Sequence, residues 1–190
     1  DRKQAELALR ESEERWQLAL RGTNDGIWDW NLKTNEVFLS QQWKAMLGFE
    51  DHEIENHVEA WTQRVHPDDL GWITQTLHDH FARKTPFYLA EYRVLGKDGS
   101  YKWILARGQA LWDAAGTAIR IAGSLTDITD RKRAEAALRE SEERFRSLCA
   151  TSPMGIFQND PTGACVYTNV RWQEITGMTP EGGLGQEWAN

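Results

Sequence analysis

Aromatic and β-branched residues gather in short runs along the chain, separated by charged amphipathic stretches. GIWDWNL (Gly26–Leu32) and EVFLS (Glu36–Ser40) flank the turn-forming Lys33–Asn35 and predict a hairpin. QQWKAMLG (Gln41–Gly48) predicts a short helix stopped by its glycine, and Val58–Val65 predicts a second. His66-Pro67-Asp68-Asp69 predicts a helix start, because proline in the first turn gives up no needed donor and the carboxylates face the positive end of the dipole. That helix runs to about Phe81. Three strand-like runs follow, Phe87–Leu95, Tyr101–Trp112 and Ile119–Ile128, joined by the turns KDGS (Lys97–Ser100) and DAAGT (Asp113–Thr117). With an exit helix from Asp130, the order is two strands, three short helices, three strands and a helix. This is an α+β pattern built on one antiparallel sheet.

The helical stretches repeat. A shift of 129 aligns Asp1–Trp16 with Asp130–Phe145 at 13 of 16 positions, and without a gap it also pairs Gly26 with Gly155, Ile27 with Ile156 and Trp43 with Trp172. The period is that of a small globular domain, longer than solenoid repeats of about 20–50 residues. The second copy reaches Asn190, about 60 residues into its period, so the chain reads as part of a longer array. Within the repeated helix, Ala5, Leu9, Ser12, Trp16 and Ala19, and again Ala134, Leu138, Ser141, Phe145 and Leu148, follow a four-three spacing. That spacing makes an apolar seam, open to two readings: a solvated connector with one sticky edge, or a short dimerising coiled coil. Duplication favours the second, with Leu9, Trp16, Leu138 and Phe145 as contact residues and a homodimer as the expected assembly.

Composition narrows the function classes. Apolar residues make up 40% of the 190, enough for a folded core, and the net charge of −7 lacks the basic footprint of a nucleic-acid binder. No apolar run reaches the ~18–20 residues of a membrane span, which predicts a soluble, cytoplasmic fragment without membrane contact. Cys149 and Cys165 show neither metal spacing nor a disulfide framework.

In that order, GIWDW, WKAMLGF, Trp61 ahead of VHPDDL, EYRVLGKDGSYKWILARG and GSLTDITDRKRAE resemble the PAS family in its version with a C-terminal PAC half. The resemblance covers Thr23–Ala134. It implies a five-stranded antiparallel sheet, helices packed on one face and a sensing cavity between them. It also implies an organisation of linker helix (1–20), complete domain (21–129), second linker helix (130–149) and the start of a truncated second domain (150–190). The family's sensors stand upstream of histidine kinases or of enzymes that make and degrade cyclic dinucleotides. The expected function is therefore a non-catalytic input module, most simply of a two-component histidine kinase whose effector domain lies elsewhere in the parent chain. The alternatives are the input module of a diguanylate cyclase or phosphodiesterase, and a ligand-free structural dimerisation spacer.

The candidate pocket residues are Met46, Trp61, Ile73, Leu77, His80, Tyr92, Trp103 and Ile121. Flavin or a small metabolite stays open as ligand. Residues 1–148 hold no cysteine for a flavin photoadduct. Haem is disfavoured: on the helix after Pro67, Leu70, Ile73, Leu77 and Phe81 form the apolar stripe, with His80 about 65° and His78 about 95° from its centre. Both histidines read more readily as solvated. His52, His57 and His66 have no partners at metal spacing, so no metal site is expected. Asp68 and Asp69 are explained by capping, and no nucleophile–base constellation appears. Thr129 suits the N-cap of the exit helix and Asp127 the end of the last strand, which marks this pair for signal transmission. A second hairpin, GIFQN (Gly155–Asn159) with CVYT (Cys165–Thr168), is expected to be bare and marginal by itself.

Overall fold

The computed structural model describes Gln4, Arg10, residues 24–179 and residues 181–185. Gln4 and Arg10 are helical; the rest of the expected helix over 1–20, Leu9 and Trp16 included, lies outside the described residues. The chain divides into two compact units, Asp1–Lys132 and Arg133–Asn190.

The first unit holds strands β1 (Gly26–Asn31) and β2 (Val37–Leu39), helix α1 (Gln41–Met46), a 3₁₀ turn at Asp51–Glu53, helices α2 (Val58–Thr62) and α3 (Pro67–Phe81), and strands β3 (Tyr88–Leu95), β4 (Tyr101–Trp112) and β5 (Ala118–Asp127). The five strands form one antiparallel sheet in the order β2-β1-β5-β4-β3. Alternation decides which face each residue takes. On β3, Tyr88, Ala90, Tyr92 and Val94 are buried, while Leu89, Glu91, Arg93 and Leu95 between them are not. Trp28 and Trp30 on β1 share the buried face, against Leu39 and Val37 of β2. The helices cover that face with Trp43, Leu47, Ile73 and Leu77. Each such side chain, fully removed from water, contributes roughly 2 kcal/mol.

Two glycines make room for an indole. Gly108 and Gly123 pair across β4 and β5, and a Cβ on either would sit 2.6 or 2.7 Å from the Trp28 ring. The Trp28 indole N–H donates to the Ser124 carbonyl at 3.2 Å, fixing the ring across that notch.

Helix α3 starts as the sequence predicts. Pro67 occupies the first turn and the His66 Nδ1 accepts the Asp68 N–H at 3.2 Å. Asp69 does more than face a dipole: its carboxylate accepts from the Arg93 backbone N–H (3.0 Å), Nε (2.9 Å) and Nη2 (2.7 Å), clamping α3 to β3.

Helix α4 (Thr129–Thr151) leaves β5 directly; its first four residues belong to the first unit and the remainder to the second. In the second unit β6 (Phe157–Asn159) and β7 (Cys165–Thr168) form a two-stranded sheet followed by helix α5 (Val170–Thr176). The expected bare hairpin is in fact pinned. Asn169 accepts the Ile156 and Trp172 N–H groups on Oδ1 (2.7 and 2.9 Å) and donates through Nδ2 to the Cys149 and Met154 carbonyls (2.8 and 2.9 Å). Cys149, Cys165 and Trp172 are buried around it. The first unit uses Ser40 in the same register, its Oγ accepting from Ile27 (2.9 Å) and Trp43 (3.2 Å).

Candidate functional site

A cavity of about 50 Å³ lies between the buried face of the sheet and its helices. Strand β1 brings Trp28 and Trp30 to it, β2 brings Val37 and Leu39, and β5 brings Leu125. The helical side supplies Trp43, Val58, Trp61 and Leu77, and β3 supplies Tyr88 and Tyr92. None of these side chains carries a charge. The Trp61 indole N–H donates to the Tyr92 hydroxyl at 2.9 Å. The Tyr88 hydroxyl is buried without a hydrogen-bond partner among the described residues. Burial pushes the pKa of both phenols up, and for Tyr92 the neighbouring Tyr88 adds to the rise. Ligand sites for drug-sized molecules measure about 300–1,000 Å³, so neither a flavin nor a haem fits this space as it stands.

Of the expected pocket residues, Trp61, Leu77 and Tyr92 line the cavity. Ile73 and Ile121 are buried in the surrounding core without lining it. Met46 borders a polar surface groove formed with Asn24, Asp25, Gln42, Lys102, Thr126 and Asp127. Trp103 projects from the opposite face, because it pairs with Arg93 rather than with a core-facing residue of β3. Its ring lies 5.2 Å from Lys132 Nζ and 5.6 Å from the Arg93 guanidinium. His80, a pocket candidate at the stripe edge that reads more readily as solvated, is fully buried and does not line the cavity. Its Nε2 accepts the Ala110 N–H at 3.1 Å and its Nδ1 sits 3.1 Å from the Thr85 carbonyl, to which it donates. Both nitrogens thus serve the junction of α3 with β4, and neither remains to ligate iron. Among the described residues no three His, Cys, Asp or Glu side chains converge as a metal-ligand set.

Trp28, Trp30, Trp43 and Tyr88 line the cavity without being among the expected pocket residues. The signal was present for three of them: Trp28 and Trp30 are two apart on one strand, and Tyr88 is four residues before Tyr92, hence on the same face. Trp43 carries no such signal; only the fold brings its helix against Gly26, where a Cβ would meet the Trp43 Cα at 2.6 Å.

The root of α4 differs from the expected cap. Thr129 is the first helical residue, and its free N–H donates to Asp127 Oδ1 at 2.9 Å, so Asp127 caps the helix. The Thr129 hydroxyl instead accepts the Trp103 N–H at 3.0 Å and donates to the Trp103 carbonyl at 3.4 Å. Burial opposes ionisation of Asp127, but the bonds from Thr129 and the Lys102 ammonium (3.1 Å) outweigh it and hold the carboxyl below its ordinary range. From β3, Glu91 accepts from Lys132 (2.7 Å) and Arg131 (2.6 Å), and those two cations lower its pKa.

Residues 36–125 match the family described as the PAS fold. The chain is 44% identical to a sensory box histidine kinase/response regulator from Burkholderia thailandensis of known crystal structure, with a TM-score of 0.63, covering 70% of this chain and 99% of that one. It is 27% identical to the sensor protein FixL of Bradyrhizobium diazoefficiens over 91% of this chain and 34% of that protein. It is 28% identical to the probable diguanylate cyclase DgcE of Escherichia coli over 96% of this chain and 16% of that protein. The chain spans about a third or less of the length of these curated relatives. No helix among the described residues is long and apolar enough to cross a membrane. Sheet order, helix placement and this likeness agree: the chain belongs to the PAS fold family.

Proposed function

We propose that this chain is the sensory input portion of a cytoplasmic multidomain signalling protein, non-catalytic itself and coupled through α4 to an effector, most simply a histidine kinase. One observation carries the reading. Strand β3 presents Tyr88 and Tyr92 to the cavity on one face and, between them, Glu91 to Arg131 and Lys132 of the exit helix on the other. A ligand that displaces the tyrosines therefore moves the anchor of the helix, and coupling of this kind needs only unequal binding to two positions of β3. In this reading residues 21–129 form a complete PAS domain with its PAC half, 130–149 a linker helix, and 150–190 the start of a second copy. The exposed seam of Leu138, Phe145 and Leu148 supports dimerisation through that linker. Relatives that include a probable diguanylate cyclase favour a second reading, in which a cyclic-dinucleotide enzyme replaces the kinase.

The test is effector output in the parent protein. Leu77→Phe fills the cavity and Glu91→Gln cuts the anchor; each is expected to change output while circular dichroism reports an intact fold. A spacer without sensory function predicts unaltered output from both.

A further inference from the structure

The cavity wall has a polarity that packing does not require. Tyr88 is 2% exposed, and its hydroxyl has no partner among the described residues. Phenylalanine would fill the same volume without stranding a hydroxyl in an apolar site. Beside it, Tyr92 spends a lone pair on the Trp61 N–H and keeps its own proton to give. The indole N–H groups of Trp28 and Trp30 are already given to the Ser124 carbonyl and to Asn35 Oδ1, at 3.2 and 2.9 Å. The Tyr88 hydroxyl is thus a donor left over at the wall. Burial keeps both phenols protonated, hence donors at any physiological pH.

Size and charge restrict what such donors can meet. A space of about 50 Å³ is well below the ~150 Å³ of a cavity that takes benzene. No cation lines it, so a carboxylate or phosphate would sit there as an unpaired buried charge.

We infer that this cavity takes a small uncharged molecule of a few heavy atoms, whose oxygen accepts a hydrogen bond from Tyr88 while its apolar remainder packs against the tryptophans. The inference rests on the reading of this cavity as the input of the sensor, and it fixes the chemical class of what is sensed: neutral, acceptor-bearing and smaller than a benzene ring.

Three planar molecules of four heavy atoms separate the alternatives: acetone has the acceptor, isobutene replaces it with a methylene, and acetate adds a charge. Each is titrated into the full ¹⁵N-labelled chain while the indole N–H resonances of Trp28 and Trp61 are followed. Acetone is expected to shift them saturably, and acetate to leave them in place. Tyr88→Phe should weaken acetone about five- to tenfold and leave isobutene unchanged. Equal weakening of acetone and isobutene overturns the inference, as does acetate binding as tightly as acetone. So does silence from every probe, which would mean that water or bare packing serves Tyr88. Should the variant fail to fold, the three-probe series on the natural chain still decides. Acetone binding without any change in hydrogen exchange at 129–135 would support the ligand class and sink the sensory reading. Silence from the probes, with output altered by Leu77→Phe and Glu91→Gln, would do the reverse.

Discussion

The Thr129 hydroxyl accepts the Trp103 backbone N–H at 3.0 Å and hands its own proton to the Trp103 carbonyl at 3.4 Å. That carbonyl also accepts the Ile128 N–H at 2.9 Å. One residue in β4 therefore holds the last residue before the exit helix and the first residue within it. Thr129→Val keeps the shape but strands a backbone donor, and should destabilise the first unit by about 1–3 kcal/mol. Thr129→Ser keeps the hydroxyl and should cost less than half as much. Chemical denaturation of both variants checks this; equal effects would mean that the lost methyl, not the hydroxyl, matters.

Asp69 gives the fold an acid limit. Its pairing with Arg93 lowers its pKa from 3.8 to about 2. A folded pKa below the unfolded one gives stability that is present above 3.8 and is lost as the pH falls through 2. The contribution is about 2 kcal/mol. Urea unfolding of Asp69→Asn should show that loss already at neutral pH, and a flatter profile than the natural chain between pH 4 and 2. A profile of unchanged slope would assign the acid limit to another carboxylate.

The two cavity tyrosines should respond to the same substitution with opposite signs. Tyr88→Phe removes an unpaired buried hydroxyl and should raise stability by about 1 kcal/mol, whereas Tyr92→Phe leaves the Trp61 indole N–H without its acceptor and should lower it by about 1–3 kcal/mol. Thermal unfolding in the absence of added ligand reads both. A destabilised Tyr88→Phe would show that its hydroxyl already has a partner.

Asn169→Ser converts the second unit to the chemistry of the first. Serine retains the acceptor that Ile156 and Trp172 use, as Ser40 does for Ile27 and Trp43, but loses the two bonds to the Cys149 and Met154 carbonyls. Hydrogen exchange should quicken at the end of α4 and in 155–157, with residues 24–128 unchanged. Unchanged protection throughout would show that Trp172 and the buried cysteines hold the unit without those bonds.

Leu138→Glu tests the linker seam better than a change at Phe145. Leu138 is 63% exposed, while the Phe145 ring already lies 5.7 Å from that of Tyr167, so replacing Phe145 would also disturb the second unit. Light scattering should show the proposed dimer of the natural chain weakened by Leu138→Glu. An unaltered dimer would move the interface off α4.

The sequence by itself determined the order of elements, because hydrophobic period and turn chemistry are local: the strands over 87–95 and 101–112, the proline start of α3 and the repeat at 129 are legible without any tertiary contact. Of the residues expected at the pocket, Trp61, Leu77 and Tyr92 border the cavity once the fold has closed. Strand parity decides Trp103 against the pocket: paired with Arg93, its side chain faces away, with Arg93 and Lys132. His80 shows what only the tertiary structure decided. On an isolated helix it lies at the edge of the apolar stripe, and it is buried because Ala110 and Thr85, 30 and five residues away, offer its two nitrogens partners. Thr129 and Asp127 exchanged their expected roles for the same reason: a hydroxyl at a helix start caps by default, unless the fold brings a backbone such as that of Trp103 within reach. Local periodicity sets which groups are polar, apolar and on which face. Which polar group meets which, and how much room is left between the aromatic rings, is settled only when distant strands and helices close on one another.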